Sequence, residues 1–217
     1  MNVSIIITCF NRENYVARAI RSAVDQSFPY GKFEVIVVDD NSTDHSREII
    51  DDFGDDIIVL KHEENLGLPT ARNTGIRRAQ GRYVVHLDSD DYFHSELIAF
   101  EHQFLAHNSD WGAVACDYVL VDAHEKHISR MSAKEHPIAC GVMFRKDYLI
   151  AIGLYDETML VCEDEELRSR FEERYTIGHI PVPYYRYTRH DGNITRDYDR
   201  VDEYKERLNQ RLRESSD

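Results

Sequence analysis

In the first half of the chain, a short aliphatic run alternates with a segment of helical spacing four times over. Val3–Thr8, Phe33–Val38, Ile57–Leu60 and Tyr83–Leu87 are the apolar runs. None alternates polar with apolar residues, which is the pattern of a strand covered on both faces. After the first run, Tyr15, Val16, Ala19, Ile20, Ala23 and Val24 recur at helical spacing, with Arg18 and Arg21 on the other side. Ser46–Phe53 reads as a short helix, and Pro69–Ala79 as a helix with proline in its first turn. The order predicts an α/β, Rossmann-like fold: a mostly parallel, doubly wound central sheet with helices on both faces.

Past Asp91 the rhythm changes. Glu96–Ala106 and Asp164–Arg174 read as helices, Lys146–Ile152 as a short one, and Ala113–Val121 and Ala139–Phe144 as strands. His124–His136 is polar without a clear period. Thr176–Val182 and Tyr184–Thr188 are two β-like pieces interrupted by Pro181 and Pro183. This half is expected to be smaller and mixed in strand direction. No linker or repeat divides the chain, so residues 1–95 and 96–200 are expected to be two halves of one domain. Residues 201–217 are expected to form a terminal helix (Val201–Arg213) or tail.

Composition narrows the partners. Lys and Arg number 26 against 40 Asp and Glu, a net charge of −14. Such a field repels nucleic acid unless a local basic face exists, and no basic run is present. Cys9, Cys116, Cys140 and Cys162 are far apart and form no C-x-x-C pair, which fits a reducing cytoplasm. Met1–Ser4 has no basic leader, and no stretch reaches the length of a membrane span. Membrane contact is therefore expected to be peripheral at most, through Lys205–Arg213, whose charge Glu203, Glu206 and Glu214 dilute.

Ligands of open α/β sheets bind outside the carboxyl ends of the strands. There the first strand delivers Thr8-Cys9-Phe10-Asn11, the second Asp39-Asp40-Asn41-Ser42, and the fourth Asp88-Ser89-Asp90-Asp91. Asp88 and Asp90, two residues apart on extended backbone, face the same side. A hard cation such as Mg2+ or Mn2+ takes one or two carboxylates together with substrate phosphates. The same residues would also serve as an acidic turn capping the next helix. Asp39–Asp44 is equally a turn with a helix cap or an acceptor for a base N–H. Glu163-Asp164-Glu165-Glu166 either complements a helix dipole or supplies a general base. His190, with Arg186, Arg189 and Arg196, is either surface loop or positive charge for a diphosphate.

Val3–Asn11 (VSIIITCFN), Glu34–Asp44 (EVIVVDDNSTD), Asn65–Gly75 (NLGLPTARNTG), Gly81–Asp91 (GRYVVHLDSDD), Gly153–Glu157 (GLYDE) and Glu163-Asp164 followed by Arg168 resemble, in order, the family 2 glycosyltransferases with the GT-A fold. The resemblance covers the chain to about residue 190. It implies that Thr8, Phe10 and Asn11 line the nucleotide pocket, Phe10 standing where the family usually has a stacking Tyr. It implies Asp40 as acceptor for the base, Asp39 as its support, and Arg72 near the donor phosphates or base. Asp88 and Ser89 would contact the donor, Asp90 would be the direct metal ligand with Asp88 as partner, and His190 would approach the metal or diphosphate. Asp164 matches the catalytic base, with Glu163 beside it.

The resemblance thus implies an inverting transfer from a nucleoside diphosphate sugar, UDP-sugars being commonest, to a saccharide or lipid-linked saccharide hydroxyl in polysaccharide or glycoconjugate synthesis. Mn2+ or Mg2+ would be the cofactor. The chain lacks the Q-x-x-R-W motif of processive synthases. Two rivals are a nucleotidyltransferase, for which Thr8–Asn14 lacks a Gly-rich phosphate loop, and a non-catalytic nucleotide- or glycan-binding module.

Overall fold

The structure is a computed structural model that describes residues 1–193 and Tyr204. The expected alternation is present: β1 (Val3–Cys9), α1 (Val16–Val24), β2 (Phe33–Asp39), α2 (Ser46–Asp51), β3 (Ile58–Lys61), α3 (Leu68–Arg78) and β4 (Tyr83–Asp88). There follow β5 (Tyr92–Phe93), α4 (Leu97–His107), β6 (Trp111–Asp122), β7 (His127–Met131), β8 (Val142–Arg145), α5 (Lys146–Ala151), α6 (Glu163–Glu172) and β9 (Thr176–Arg189).

All nine strands of the described residues join one sheet, in the order β3-β2-β1-β4-β8-β6-β9-β5, with β7 hairpinned onto β6. The first four are parallel. β8 runs antiparallel to both β4 and β6, and β9 runs parallel to β6. Because β1 and β2 are buried along almost their whole length, they carry apolar residues on both faces. On one face Ile5, Ile7 and Val37 meet Val16, Ile20 and Ile50 of α1 and α2, with Leu97 and Leu105 of α4 further along. On the other, Ile6, Ile36 and Val84 meet Ala71 and Ile76 of α3, and Phe144 meets Leu167 and Phe171 of α6. Gly75 lets α3 lie close on the sheet, since a Cβ there would stand 2.4 Å from Ile6 Cγ2. Burial of this kind contributes roughly 25 cal/mol per Å2 of apolar surface, which makes these two layers the main source of stability.

The structure adds to the sequence reading at three places. The polar stretch 124–136 contains β7, an edge strand exposed along much of its length, so it has no apolar alternation to read. The two β-like pieces around Pro181 and Pro183 are one strand, β9. Its ladder to β6 steps from Cys116↔Ile180 to Asp117↔Pro183, so the prolines sit at a bulge where no ladder N–H is required. β5, only two residues long, pairs with Tyr185 and Arg186 of β9 and makes the chain after Asp91 the edge of the sheet. The helix expected over 201–213 lies outside the described residues except for Tyr204, which is helical and packs against Met159, Val161 and Cys162. Among the described residues no helix is long and apolar enough to cross a membrane.

Candidate active site

The parallel register puts the polar strand ends side by side. Thr8 lies between Val38 and Asp88, and Cys9 pairs with Asp39. Beyond the strand ends, the loops after β1 and β2 lock together. Asn11 adopts a left-handed backbone, φ 52°, a conformation Asn tolerates better than most residues. Its Oδ1 accepts from Thr43 N–H at 2.8 Å, and Ser42 Oγ accepts from Asn11 N–H at 3.0 Å. Ser46 Oγ accepts from Arg12 N–H at 2.8 Å, and Asp44 accepts the Ser46 N–H at the start of α2. Phe10, just beyond the end of β1, is 42% exposed.

Both carboxylates proposed at the base are buried and already hold the protein's own donors. Asp39 accepts from Ser42 N–H at 3.0 Å and Arg47 Nε at 2.8 Å. Asp40 accepts from the N–H groups of Leu66 and Gly67 at 2.9 and 2.8 Å. His62 Nδ1 reaches Asp40 at 2.6 Å while its Nε2 meets the Thr74 hydroxyl at 3.0 Å, a pairing that places the ring proton on Nδ1. Gly67, at φ 89°, is the residue that lets the loop present its N–H to Asp40. Asp40 therefore fixes the loop that enters α3, and α3 carries Arg72.

Arg72 is the centre of the site. It is 1% exposed, donates from Nη1 to Glu163 at 2.7 Å and from Nη2 to Asp88 at 3.1 Å, and lies 5.3 Å from the Tyr155 ring centroid. One buried cation thus joins the end of β4 to the first turn of α6. Glu163 is buried, and burial, only partly opposed by Arg72 and reinforced by neighbouring Asp164, pushes its carboxyl up to about 7. Asp164, half-buried, borders a cleft of about 40 Å3 floored by Val142, Phe144, Tyr155 and Leu167, with Arg168 on its rim. Neighbouring Asn73 of α3 clasps Tyr155 backbone N–H and C=O at 3.0 and 2.9 Å and donates to Glu157, joining the Asn65–Gly75 and Gly153–Glu157 segments.

At the end of β4 the three aspartates have separate environments. Asp88 is partly exposed and bound to Arg72. Asp90 Oδ2 accepts from His190 Nε2 at 2.9 Å and Arg12 Nε at 3.1 Å. Burial alone would raise the Asp90 carboxyl, but the His190 hydrogen bond and the Arg12 charge outweigh it and hold it below the ordinary range. His190 Nδ1 accepts the Gly192 N–H at 3.1 Å, so the imidazole proton sits on Nε2, and the ring stacks on Tyr15 at 4.6 Å. Asp91 is turned inward, accepting from the Tyr185 hydroxyl at 2.5 Å and Thr188 N–H at 2.7 Å. Burial, with the charges of Asp90 and Asp88, pushes its carboxyl well above the usual range. Asp91 ties the turn to β9, and Ser89 is buried beside the Cys9 thiol.

Asp90 and His190 are in contact and Asp88 stands two residues before Asp90, at the end of β4, although no group of three or more His, Cys, Asp or Glu among the described residues is arranged as a ready metal cage. For Mg2+ or Mn2+ this is no obstacle, because one or two carboxylates plus substrate phosphates suffice. The carboxylate donors are hard oxygens, and the residues fit such an ion. Arg186 instead donates to the carbonyls of Pro183 and Tyr185 in its own strand, and Arg196 lies outside the described residues. Sequence reasoning missed Arg12, Arg18 and Tyr185. Arg18 donates to the Asp90 carbonyl and the Thr188 hydroxyl, both at 2.7 Å, over the ring of Tyr92. Only the position of Arg12 directly after the first strand's polar end could have drawn notice to it. A concavity of about 450 Å3 lies elsewhere, at the opposite end of the sheet among Asn2, Arg82, Tyr83, His102 and Arg145. Arg145 there is engaged by the carbonyls of Trp111, Leu105 and Asn108, so it serves packing.

A mixed sheet with acidic strand ends meeting a carboxylate helix across a buried arginine has the architecture of GT-A glycosyltransferases. The family description "Glycosyl transferase family 2" matches residues 4–159, and the chain belongs to that family. It is 36% identical over 112 residues to a poly(ribitol-phosphate) beta-glucosyltransferase of Bacillus spizizenii, covering 50% of this chain and 18% of that protein. It is 31% identical over 188 residues to an uncharacterized glycosyltransferase of Rickettsia prowazekii, covering 78% of this chain and 58% of that protein. The crystal structure of residues 1–349 of Staphylococcus aureus TarS in complex with UDP superposes with a TM-score of 0.76 at 24% identity, covering 87% of this chain and 61% of that one. A Pyrobaculum calidifontis mannosyltransferase in complex with GDP-Man and Mn2+ gives 0.70 at 19% identity, covering 88% and 58%. The chain spans less than two thirds of the length of each of these proteins.

Proposed function

We propose that this glycosyltransferase moves a sugar from a nucleoside diphosphate donor, a UDP-sugar first among them, to a hydroxyl of a saccharide or lipid-linked saccharide, with inversion at the anomeric carbon. The observation that carries the reading is Arg72, which joins Asp88 at the donor-side strand ends to Glu163, next to Asp164. Residues 1–95 are the donor half and 96–200 the acceptor half in this reading.

Thr8, Phe10 and Asn11 line the nucleoside pocket, Phe10 stacking on the base, with Asp39 and Asp40 at the base N–H through lone pairs beyond those already engaged. Asp88 and Ser89 face the ribose and donor sugar. Asp90, with Asp88 and His190, holds Mn2+ or Mg2+, which when bound neutralises charge on the departing diphosphate. Asp164 accepts the proton of the acceptor hydroxyl, whose oxygen attacks the anomeric carbon as the bond to the diphosphate breaks. The UDP complex of TarS and the Mn2+ complex of the mannosyltransferase support the choice of donor class and ion.

Thermal-shift screening of UDP-, GDP- and dTDP-sugars with Mn2+ tests the donor. A UDP-sugar is expected to give the largest stabilisation. Stabilisation by no nucleotide sugar would refute the proposal, and a preference for GDP- or dTDP-sugars would move the donor.

A further inference from the structure

The Arg12 guanidinium is placed where a metal-holding carboxylate would have to receive its ion. Its backbone is fixed: Ser46 Oγ holds the Arg12 N–H, and the Arg12 carbonyl accepts the N–H groups of Tyr15 and Val16 at the entrance to α1. The side chain then leaves its own loop. Nε donates to Asp90 Oδ2 at 3.1 Å, Nη2 to the Gly192 carbonyl at 3.1 Å, and Nη1 back to the Asn11 carbonyl at 3.0 Å. Arg12 is 21% exposed in its side chain, so it is not sealed off from solvent.

The same oxygen, Asp90 Oδ2, carries both Arg12 and His190. A divalent cation coming onto Asp90 meets the fixed positive charge of Arg12 a few ångströms away. Coulomb repulsion at that range is not removed by salt, since it lies well inside a Debye length. A diphosphate arriving with the cation reverses the balance, because it brings several negative charges to the same rim. A planar guanidinium, charged at every working pH, pairs with phosphate oxygens through parallel N–H bonds.

We propose that Arg12 is an exchangeable internal cation of the donor site: it occupies Asp90 when no nucleotide is present and transfers to the diphosphate when metal and nucleotide bind together. The proposal rests on the donor-site reading of Asp90. It makes metal and nucleotide binding mutually dependent, with weak uptake of the ion alone and tight uptake of the pair. It also couples the segment 188–193 to donor binding, because Arg12 and His190, together with Arg18 through the Thr188 hydroxyl, hold that segment to Asp90. Release of Arg12 from Gly192 frees one of those contacts.

The test measures Mn2+ alone by the paramagnetic resonance of the free ion, and UDP by calorimetry at saturating Mn2+. Wild type, Arg12→Gln and Arg12→Lys are compared, with Asp90→Asn marking which Mn2+ site is counted. Arg12→Gln is expected to bind Mn2+ alone about tenfold more tightly, as one nearby positive charge is removed. It is expected to bind UDP about tenfold more weakly at saturating Mn2+, as a charge-assisted contact is lost. Arg12→Lys keeps the charge and is expected to stay within about twofold of wild type for Mn2+ alone. Unchanged or weaker Mn2+ binding in Arg12→Gln, or unchanged UDP affinity, overturns the exchange. Equal behaviour of the Lys and Gln variants overturns it too, by assigning the effect to lost contacts rather than charge. A wild type whose UDP affinity ignores both Mn2+ and Asp90→Asn defeats the donor-site reading itself, a result distinguishable from failure at Arg12 alone.

Discussion

Replacing Arg72 by Met probes the link between the two sides of the site. Methionine keeps most of the aliphatic stem and removes the guanidinium. What is left is Glu163, buried without the cation 2.7 Å away, and Asp88, whose side chain is 32% exposed and can turn to water. Removing one partner of a buried pair costs about 3–5 kcal/mol, because the remaining charge is stranded. Glu163 has an escape. Its carboxyl already titrates at about 7, chiefly through burial, and loss of Arg72 raises it further. A carboxyl whose folded value is raised contributes stability that is complete below its unfolded value near 4.5 and is lost as pH rises through the folded one. The variant therefore holds Glu163 neutral at pH 6, about where wild type begins to ionise, and pays the stranded-charge cost only in alkali. Expected losses are about 3–5 kcal/mol at pH 8.5 and about 1–2 kcal/mol less at pH 6, given about 1.4 kcal/mol per pH unit for one proton. Urea unfolding followed through Trp111, the single tryptophan, supplies the measurement. Adding Glu163→Gln to the variant should recover part of the alkaline loss. The reasoning is refuted if Arg72→Met lies within 1 kcal/mol of wild type at pH 8.5, or if the second substitution recovers nothing.

Three further outcomes follow from other residues. Glu101 of α4 is fully buried, and burial, only slightly opposed by the Cys116 thiol, pushes its carboxyl well above the usual range. Glu101→Gln should therefore remove up to about 1.4 kcal/mol per pH unit of stability loss above the ordinary carboxylate range, read from urea midpoints between pH 5 and 8. Asp164→Asn should bind UDP as wild type does and lose transfer, read as UDP release in the presence of acceptor; wild-type turnover would remove it as the base. Asp91→Asn leaves one acceptor oxygen where the Tyr185 hydroxyl and Thr188 N–H each have their own, and about 1–2 kcal/mol of stability should be lost, with hydrogen exchange rising at 188–190.

The parallel half of the fold was legible because its strands are buried on both faces. Val3–Thr8 and Phe33–Val38 could hardly be anything else, and the helices between them follow from spacing. β7 and β5 were not legible: one is polar on an exposed edge, and the other is two residues whose strand partners, Tyr185 and Arg186, are far away in sequence. In the site, the positions of Asp88, Asp90 and Asp164 follow from strand and helix ends. Partners did not follow, since Arg12 meets Asp90 across 78 residues and Arg72 meets Glu163 across 91. Local pattern carries no record of such distant pairing, nor of Asp91 facing Tyr185 while its neighbour Asp90 faces the crevice.

The central claim is that the end of β4 receives the ion and diphosphate of a sugar donor, and it is tested most directly by calorimetric titration of UDP with and without Mn2+ into wild type and Asp90→Asn. The account predicts that Mn2+ tightens UDP binding to wild type by about tenfold or more and has no such effect on Asp90→Asn. Equal enhancement by Mn2+ in both proteins would contradict it.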